Sequence, residues 1–281
     1  MAHPVAEIFL TAARHNRTEE HRAGNVIHFR PGEHMIVAGD VHGNRQNLAK
    51  ILSYADLGRH PARMLVLQEI IHGGATDDKG GDRSFELLMR AARLRNQFPS
   101  QVHFLLGNHD IAQLTDNEIT KEGAGVCKGF DLGLLHAFQT DAPEVAAAID
   151  EFILSMPLAG RCPNGVFLSH SLPSPGRAQM FDPEVLTRPY LPEDFHRGHG
   201  VYELLWGRHH DADTLNQFAS LLGATLFING HQPVECGYTV NHERQLILSS
   251  DHPHGALVDF LAEETLTPDD LPGHVKTIMS L

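Results

Sequence analysis

The chain has 281 residues, 42% of them hydrophobic, enough for one large core or two modest ones. Its 22 Lys and Arg against 35 Asp and Glu leave a formal charge of −13, which argues against nucleic acid as a partner but not against a phosphorylated substrate, provided that metal ions supply local positive charge. Cys127, Cys162 and Cys236 are too few and too scattered for a disulfide framework or a Cys-rich zinc site. The N-terminus lacks the basic flank and apolar stretch of a secretion signal, and no apolar run approaches the ~20 residues of a membrane span, so the protein reads as cytoplasmic with no membrane partner.

In chain order, residues 4–20 place Val5, Ile8, Phe9 and Ala12 at helical spacing. This segment is read as the helical part of an N-terminal extension, 1–30, on a single domain spanning 1–281. Met35–Ala38 is then the first of five short apolar runs, and it stops at Gly39-Asp40. The others are Met64–Leu67, stopping at Gln68-Glu69; Val102–Leu106, at Gly107-Asn108; Val166–Leu168, at Ser169-His170; and Thr225–Ile228, at Asn229-Gly230-His231. Continuous apolar runs of this length fit strands buried on both faces. Helical patterns separate them over 44–57, 84–96, 145–154 and 212–222. Strands alternating with helices imply an α/β fold. The tail, with runs at 237–240, 245–248 and 256–260, reads as successive antiparallel strands. A sandwich of two mixed β-sheets with helices outside accommodates both halves.

In open α/β sheets, ligands bind beyond the C-terminal ends of the strands. All five runs end there in metal-capable residues: Asp40 with His42, Glu69, Asn108 with His109, His170, and His231. Carboxylate, imidazole and amide oxygen are what hard or borderline divalent ions take. Any single end is equally well a turn after a strand. Five ends of this kind, each directly behind a buried strand, point to a metal centre.

The stretches Gly39-Asp40-Val41-His42-Gly43-Asn44, Gly107-Asn108-His109-Asp110, Ser169-His170-Ser171 and Gly230-His231-Gln232 occur in an order that resembles the calcineurin-like metallophosphoesterase superfamily. Within it they are similar to the phosphoprotein-phosphatase branch, as are Leu204-Leu205-Trp206 and the stretch from Gly230 to Leu246, so that the resemblance covers about residues 35–260. It implies a four-layer αββα sandwich and two divalent ions, with Mn, Fe and Zn equally suited to the mixed N/O ligands. By resemblance, Asp40 and His42 bind one ion, Asn108, His170 and His231 the other, and Glu69 bridges them. A bridging water, its pKa lowered by two ions about 3.5–4 Å apart, then attacks phosphorus in line, and His109 protonates the leaving oxygen.

The second family motif, Gly-Asp-x-x-Asp-Arg-Gly, reads here Gln68-Glu69-Ile70-Ile71-His72-Gly73-Gly74. Glu69 is one methylene longer than Asp, and the expectation is that its strand retreats slightly to let it bridge. His72 replaces the carboxylate that orients the general acid, and it is itself a candidate ligand or acid. Gly73 replaces a phosphate-binding Arg. Asp77, Asp78 and Asp82 are candidate substitutes for the lost carboxylate, although an acidic solvated turn reads as well. Arg208, close behind Trp206 as in bacterial relatives of the branch, is the candidate for gripping phosphate. His209, His210, His252 and His254 either line the cleft or sit in solvated loops. The expected activity is that of a bacterial-type phosphomonoesterase acting on a phosphoprotein or small phosphate ester. The alternatives are a catalytically weakened metal- and phosphate-binding module and a dinucleoside polyphosphate hydrolase.

Overall fold

The structure, a computed structural model, describes residues 3–121 and 123–281. Helix α1 (Pro4–Arg17) is followed by two short strands, β1 (Arg22–Ala23) and β2 (Val26–His28). The next third alternates: β3 (His34–Asp40), α2 (Arg45–Ala55), β4 (Arg63–Gln68), α3 (Ser84–Gln97), β5 (Val102–Leu105) and α4 (Asn108–Leu114). A small hairpin, β6 (Thr120–Lys121) and β7 (Ala124–Gly125), leads to α5 (Val126–Phe138) and α6 (Ala142–Leu154). Then come β8 (Ala159–Arg161), β9 (Val166–Ser169), α7 (Gly200–Trp206), α8 (Ala212–Leu222) and β10 (Leu226–Asn229). The tail carries β11 (Tyr238–Asn241), β12 (Gln245–Leu248), β13 (Ala256–Leu261), α9 (Leu271–His274) and β14 (Val275–Thr277).

The strands form a seven-stranded sheet, β1-β2-β8-β9-β10-β12-β11, and a five-stranded sheet, β14-β13-β3-β4-β5. Alternation of side chains along each strand divides the apolar residues between two cores. Met35, Val37, Met64 and Val66 of the smaller sheet meet Val166, Leu168, Ile228 and Leu246 of the larger one between the sheets. Their neighbours Ile36, Ala38, Leu65 and Leu67 turn to the outside and pack with helical residues such as Phe9, Leu48, Ile51 and Leu88. Both faces are covered, which is why the strands read as unbroken apolar runs. The result is the expected αββα sandwich of two mixed sheets. No helix among the described residues is long and apolar enough to cross a membrane.

Two local expectations need correction. Among the described residues up to 30, helix covers only Pro4–Arg17, and β1 and β2 join the edge of the larger sheet, β2 parallel to β8. The tail is not a meander. β11 and β12 pair antiparallel, but β12 also pairs parallel with β10, and β13 crosses to the other sheet to lie antiparallel to β3. A strand's pattern records which faces are buried and says nothing about which neighbour it takes.

The parallel register of β3, β4 and β5, and of β9 and β10, brings their C-terminal ends to one edge of each sheet. The two edges are tied together: Asp40 bridges Ser249 in parallel fashion, Ser250 N donates to Asp40 O at 3.0 Å, and Gly39 N donates to Ser250 Oγ at 2.9 Å. All five strand ends therefore open into one place.

Candidate active site

That place is a cleft of about 230 Å³ lined by Asp40, His42, Glu69, Asn108, His109, Arg208 and His231, together with Ile119, Thr120, Pro233, Ser249 and Asp251. The loops behind β3 and β4 are laced together, since Val41 N and His42 N both donate to Glu69 O and Gly43 N donates to Ile70 O. His42, Glu69 and His231 hold left-handed backbone conformations, with φ of 41°, 39° and 66°. Such residues cost about 1–3 kcal/mol each and cluster where function over-determines the backbone.

Three oxygen acceptors converge on His170 at the cleft floor. Asn108 Oδ1 lies 2.9 Å from His170 Nε2, and Glu69 Oε1 lies 3.4 Å from the same nitrogen. Asp40 Oδ1 is buried with no hydrogen-bond partner and stands 3.6 Å from His170 Nδ1. The hydrogen on His170 is placed by Gln68: its Nε2 donates to Ala38 O, so its Oε1 faces His170 Nδ1 at 2.9 Å and takes that hydrogen. His170 Nε2 is thereby left as a lone pair among oxygen acceptors. Burial also pushes the Asp40 carboxyl up to about 7, raises Glu69 well above the usual carboxylate range and holds His170 well below its ordinary value. Buried carboxylates beside neutral imidazoles, one oxygen of them unpartnered, form a donor set that fits divalent cations.

Two groupings share Glu69. His42, Glu69 and His109 bring ligand atoms within 4.8 Å of one another, as do Asp40, Glu69 and His170. A common carboxylate in two clusters is the arrangement a bridging ligand needs, although Asp40 here clusters with His170 rather than with His42. The extra methylene of Glu69 is accommodated beside a glycine. It lies against Gly107, where a Cβ would come within 2.3 Å of Glu69 Cγ. His231 is engaged at both nitrogens: Arg208 Nε donates to its Nε2 at 3.0 Å, and its Nδ1 lies 3.2 Å from His170 Nε2. Ligation through Nδ1 requires its hydrogen to leave that position.

His109 lines the cleft with its backbone N donating to Glu69 Oε1 at 2.6 Å. His72 is wholly buried behind it, Nδ1 to Nδ1 at 3.0 Å, and stands outside the set of cleft-lining residues. The acidic loop is used otherwise: Asp77 pairs with His136 at 2.7 Å, and Asp82 accepts from Gly73 N and Ser84 N. An Arg cannot simply be returned to position 73, where φ is +148° and a Cβ would stand 2.6 Å from His42 O. His210 is buried, bonded to Leu172 O and Gln245, and His252 is bonded to Val234 O, so both serve the scaffold. His209 and His254 are exposed.

Sequence reasoning missed Gln68 and Asp251. Gln68 stands where the family motif has Gly, a departure whose consequence for His170 only geometry reveals. Asp251 enters the cleft because β12 ends beside β3, a pairing with no signature in the sequence.

Compared with known proteins, residues 34–245 match the family model described as Calcineurin-like phosphoesterase. A probable serine/threonine-protein phosphatase of Encephalitozoon cuniculi (strain GB-M1) is 23% identical over 244 residues, 79% of this chain and 48% of that protein. The chain thus spans about half the length of the curated relative it matches. Among solved structures, a protein serine/threonine phosphatase from Saccharomyces cerevisiae with similarity to human phosphatase PP5 superposes with a TM-score of 0.68 at 16% identity, covering 91% of this chain and 81% of that one. A cold-active protein-tyrosine phosphatase of a psychrophilic Shewanella sp. superposes with a TM-score of 0.57 at 14% identity, covering 90% and 82%. At these identities the likeness to solved structures is one of fold.

Proposed function

The chain belongs to the calcineurin-like phosphoesterase family, and from that premise we propose that it is a metal-dependent phosphomonoesterase of the compact, bacterial protein-phosphatase type. The observation that carries the reading is the set of buried acceptors at the cleft floor, with unpartnered Asp40 Oδ1 among them and Glu69 common to two clusters. Asp40, His42, Glu69, Asn108, His170 and His231 would hold two divalent ions, of Mn, Fe or Zn. Such ions, when bound, make water nucleophilic near neutral pH and neutralise phosphoryl oxygens.

The chain's own residues supply the rest. Arg208 is exposed at the cleft and uses Nε on His231, leaving its terminal nitrogens to grip a phosphoryl oxygen in the fork geometry of a guanidinium. His109 gives a proton to the leaving oxygen as the P–O bond breaks. The short connection from Trp206 to His231 supports the bacterial-type assignment, and the substrate class is a phosphoprotein or small phosphate monoester.

One observation favours a second reading, a weakened module that holds metal and phosphate: Gly73 leaves Arg208 as the only arginine lining the cleft among the described residues. A substrate panel separates them. Mn²⁺-loaded protein is expected to hydrolyse 4-nitrophenyl phosphate and a phosphoserine peptide faster than bis(4-nitrophenyl) phosphate or a dinucleoside tetraphosphate. Preference for the last would move the assignment to polyphosphate hydrolysis. Phosphate binding with no turnover of any ester would leave the module.

A further inference from the structure

The partner behind His109 is another imidazole, and two neutral imidazoles can pair in either sense. A third group must decide which nitrogen of His109 carries its hydrogen. The structure contains one. His72 Nε2 lies 2.9 Å from Gln113 Oε1, and Gln113 Nε2 donates to Asp131 Oδ1 at 2.8 Å. Gln113 is four residues beyond His109 on α4, so both project from one face of that helix, while Asp131 comes from α5. Phe130 closes the pocket edge-on to His72, with ring centroids 5.6 Å apart.

The senses of these bonds follow from what each atom can do. A carboxylate oxygen accepts, so Gln113 presents its amide hydrogens to Asp131 and its carbonyl to His72. A carbonyl also accepts, so His72 carries its hydrogen on Nε2. Its Nδ1 is then a lone pair, and across 3.0 Å it takes a hydrogen from His109 Nδ1. Burial supports the neutral state of His72 by pushing it down to about 4, against a smaller upward pull from the Gln113 bond.

We propose that Gln113 and Asp131 are positioning residues whose chain through His72 fixes the tautomer of His109, so that Nε2 is the nitrogen that protonates the leaving oxygen. This rests on the phosphoesterase reading. It assigns to a neutral amide the orienting task that a carboxylate performs in the family motif, and it moves the carboxylate two residues further back. For the step His109 enters as the imidazolium, with a second hydrogen taken from solvent onto Nε2; the Nε2–H bond then breaks, an O–H bond forms, the leaving oxygen keeps the electron pair of the broken P–O bond, and neutral His109 remains. His109 Nδ1 retains its hydrogen, and no proton travels along the chain. Asp131 is exposed, so water competes for Gln113 and the amide carries more of the effect than the carboxylate.

The test compares Gln113→Met and Asp131→Asn with wild type in the Mn²⁺-loaded full chain, on glycerol 2-phosphate and 4-nitrophenyl phosphate. The alkoxide leaving group needs a proton and the nitrophenolate scarcely does. General acid catalysis contributes about 10²–10⁴-fold. In Gln113→Met the loss of kcat on the alkyl ester is therefore expected to exceed that on the aryl ester by about tenfold or more, with KM and Mn²⁺ affinity little altered. Asp131→Asn is expected to show the same split, smaller. Equal losses on the two esters, or no loss in either variant, would overturn the proposal. ¹⁵N NMR of the ring nitrogens gives a readout free of turnover: His72 protonated at Nε2 and His109 at Nδ1 in wild type, with a mixture in Gln113→Met. If no ester is hydrolysed, the phosphoesterase reading fails, and the NMR pattern still decides the tautomer. A mixture already present in wild type would sink it.

Discussion

Gln68 and His170 show how much of this site depends on residues that carry no chemistry themselves. A ligating imidazole is held in one tautomer by whatever its other nitrogen bonds to, and losing that partner costs about 10–100-fold in metal affinity. Gln68→Leu is accordingly expected to weaken Mn²⁺ binding by about that factor in calorimetric titration, with the melting temperature controlling for damage to the fold. Undiminished affinity would mean that the bond is incidental. The candidate ligands were legible in the sequence because each follows a buried run in a fixed order. Gln68 and Gln113 were not, since an amide has no motif and its role depends on which ring it faces. The room beside Glu69 was not legible for a related reason: it is left by Gly107, 38 residues further along the chain.

Among the elements, β3, β4, β5, β9 and β10 were read well because burial on both faces leaves short apolar runs with few polar interruptions, whereas β1, β2, β6, β7, β8 and β14, of two or three residues each, were not read. The helices α4, α5, α7 and α9 were not read. Helix α4 is short and begins inside the metal motif, and Gly129 and Gly133 dilute the helical pattern of α5. Helix α1 is sealed onto α3 and α6, and Phe9 is fully buried with its ring 5.8 Å from that of Phe152. An extension that fills the outer core is expected to behave as part of the domain. Phe9→Ala is thus predicted to lower unfolding free energy by about 3–5 kcal/mol, read by urea denaturation. A loss under about 1 kcal/mol would mark residues 1–30 as dispensable packing.

At the scale of the whole molecule, acid stability turns on buried histidine. His103 on β5 is held down to about 3, chiefly by burial and then by the charge of Arg95, with Glu19 pulling the other way and His21 beside it. It stays neutral in the folded chain but takes a proton in the unfolded one below the ordinary imidazole value of 6.5. The contribution of His103 to stability is therefore complete above about pH 6.5 and is lost as the pH falls toward 3. Melting temperatures taken between pH 7.5 and pH 5 are expected to fall more steeply for wild type than for His103→Leu, and parallel slopes would assign the acid sensitivity elsewhere.

Each of the site residues' roles requires the cleft at the joined strand ends to be a metal-dependent phosphoesterase site. Its most direct test is hydrolysis of 4-nitrophenyl phosphate by metal-stripped protein titrated with Mn²⁺, with Asp40→Asn alongside. Turnover is expected to rise with Mn²⁺ to a plateau and to be lost in the variant. Turnover indifferent to metal, or full activity in Asp40→Asn, would contradict that assignment.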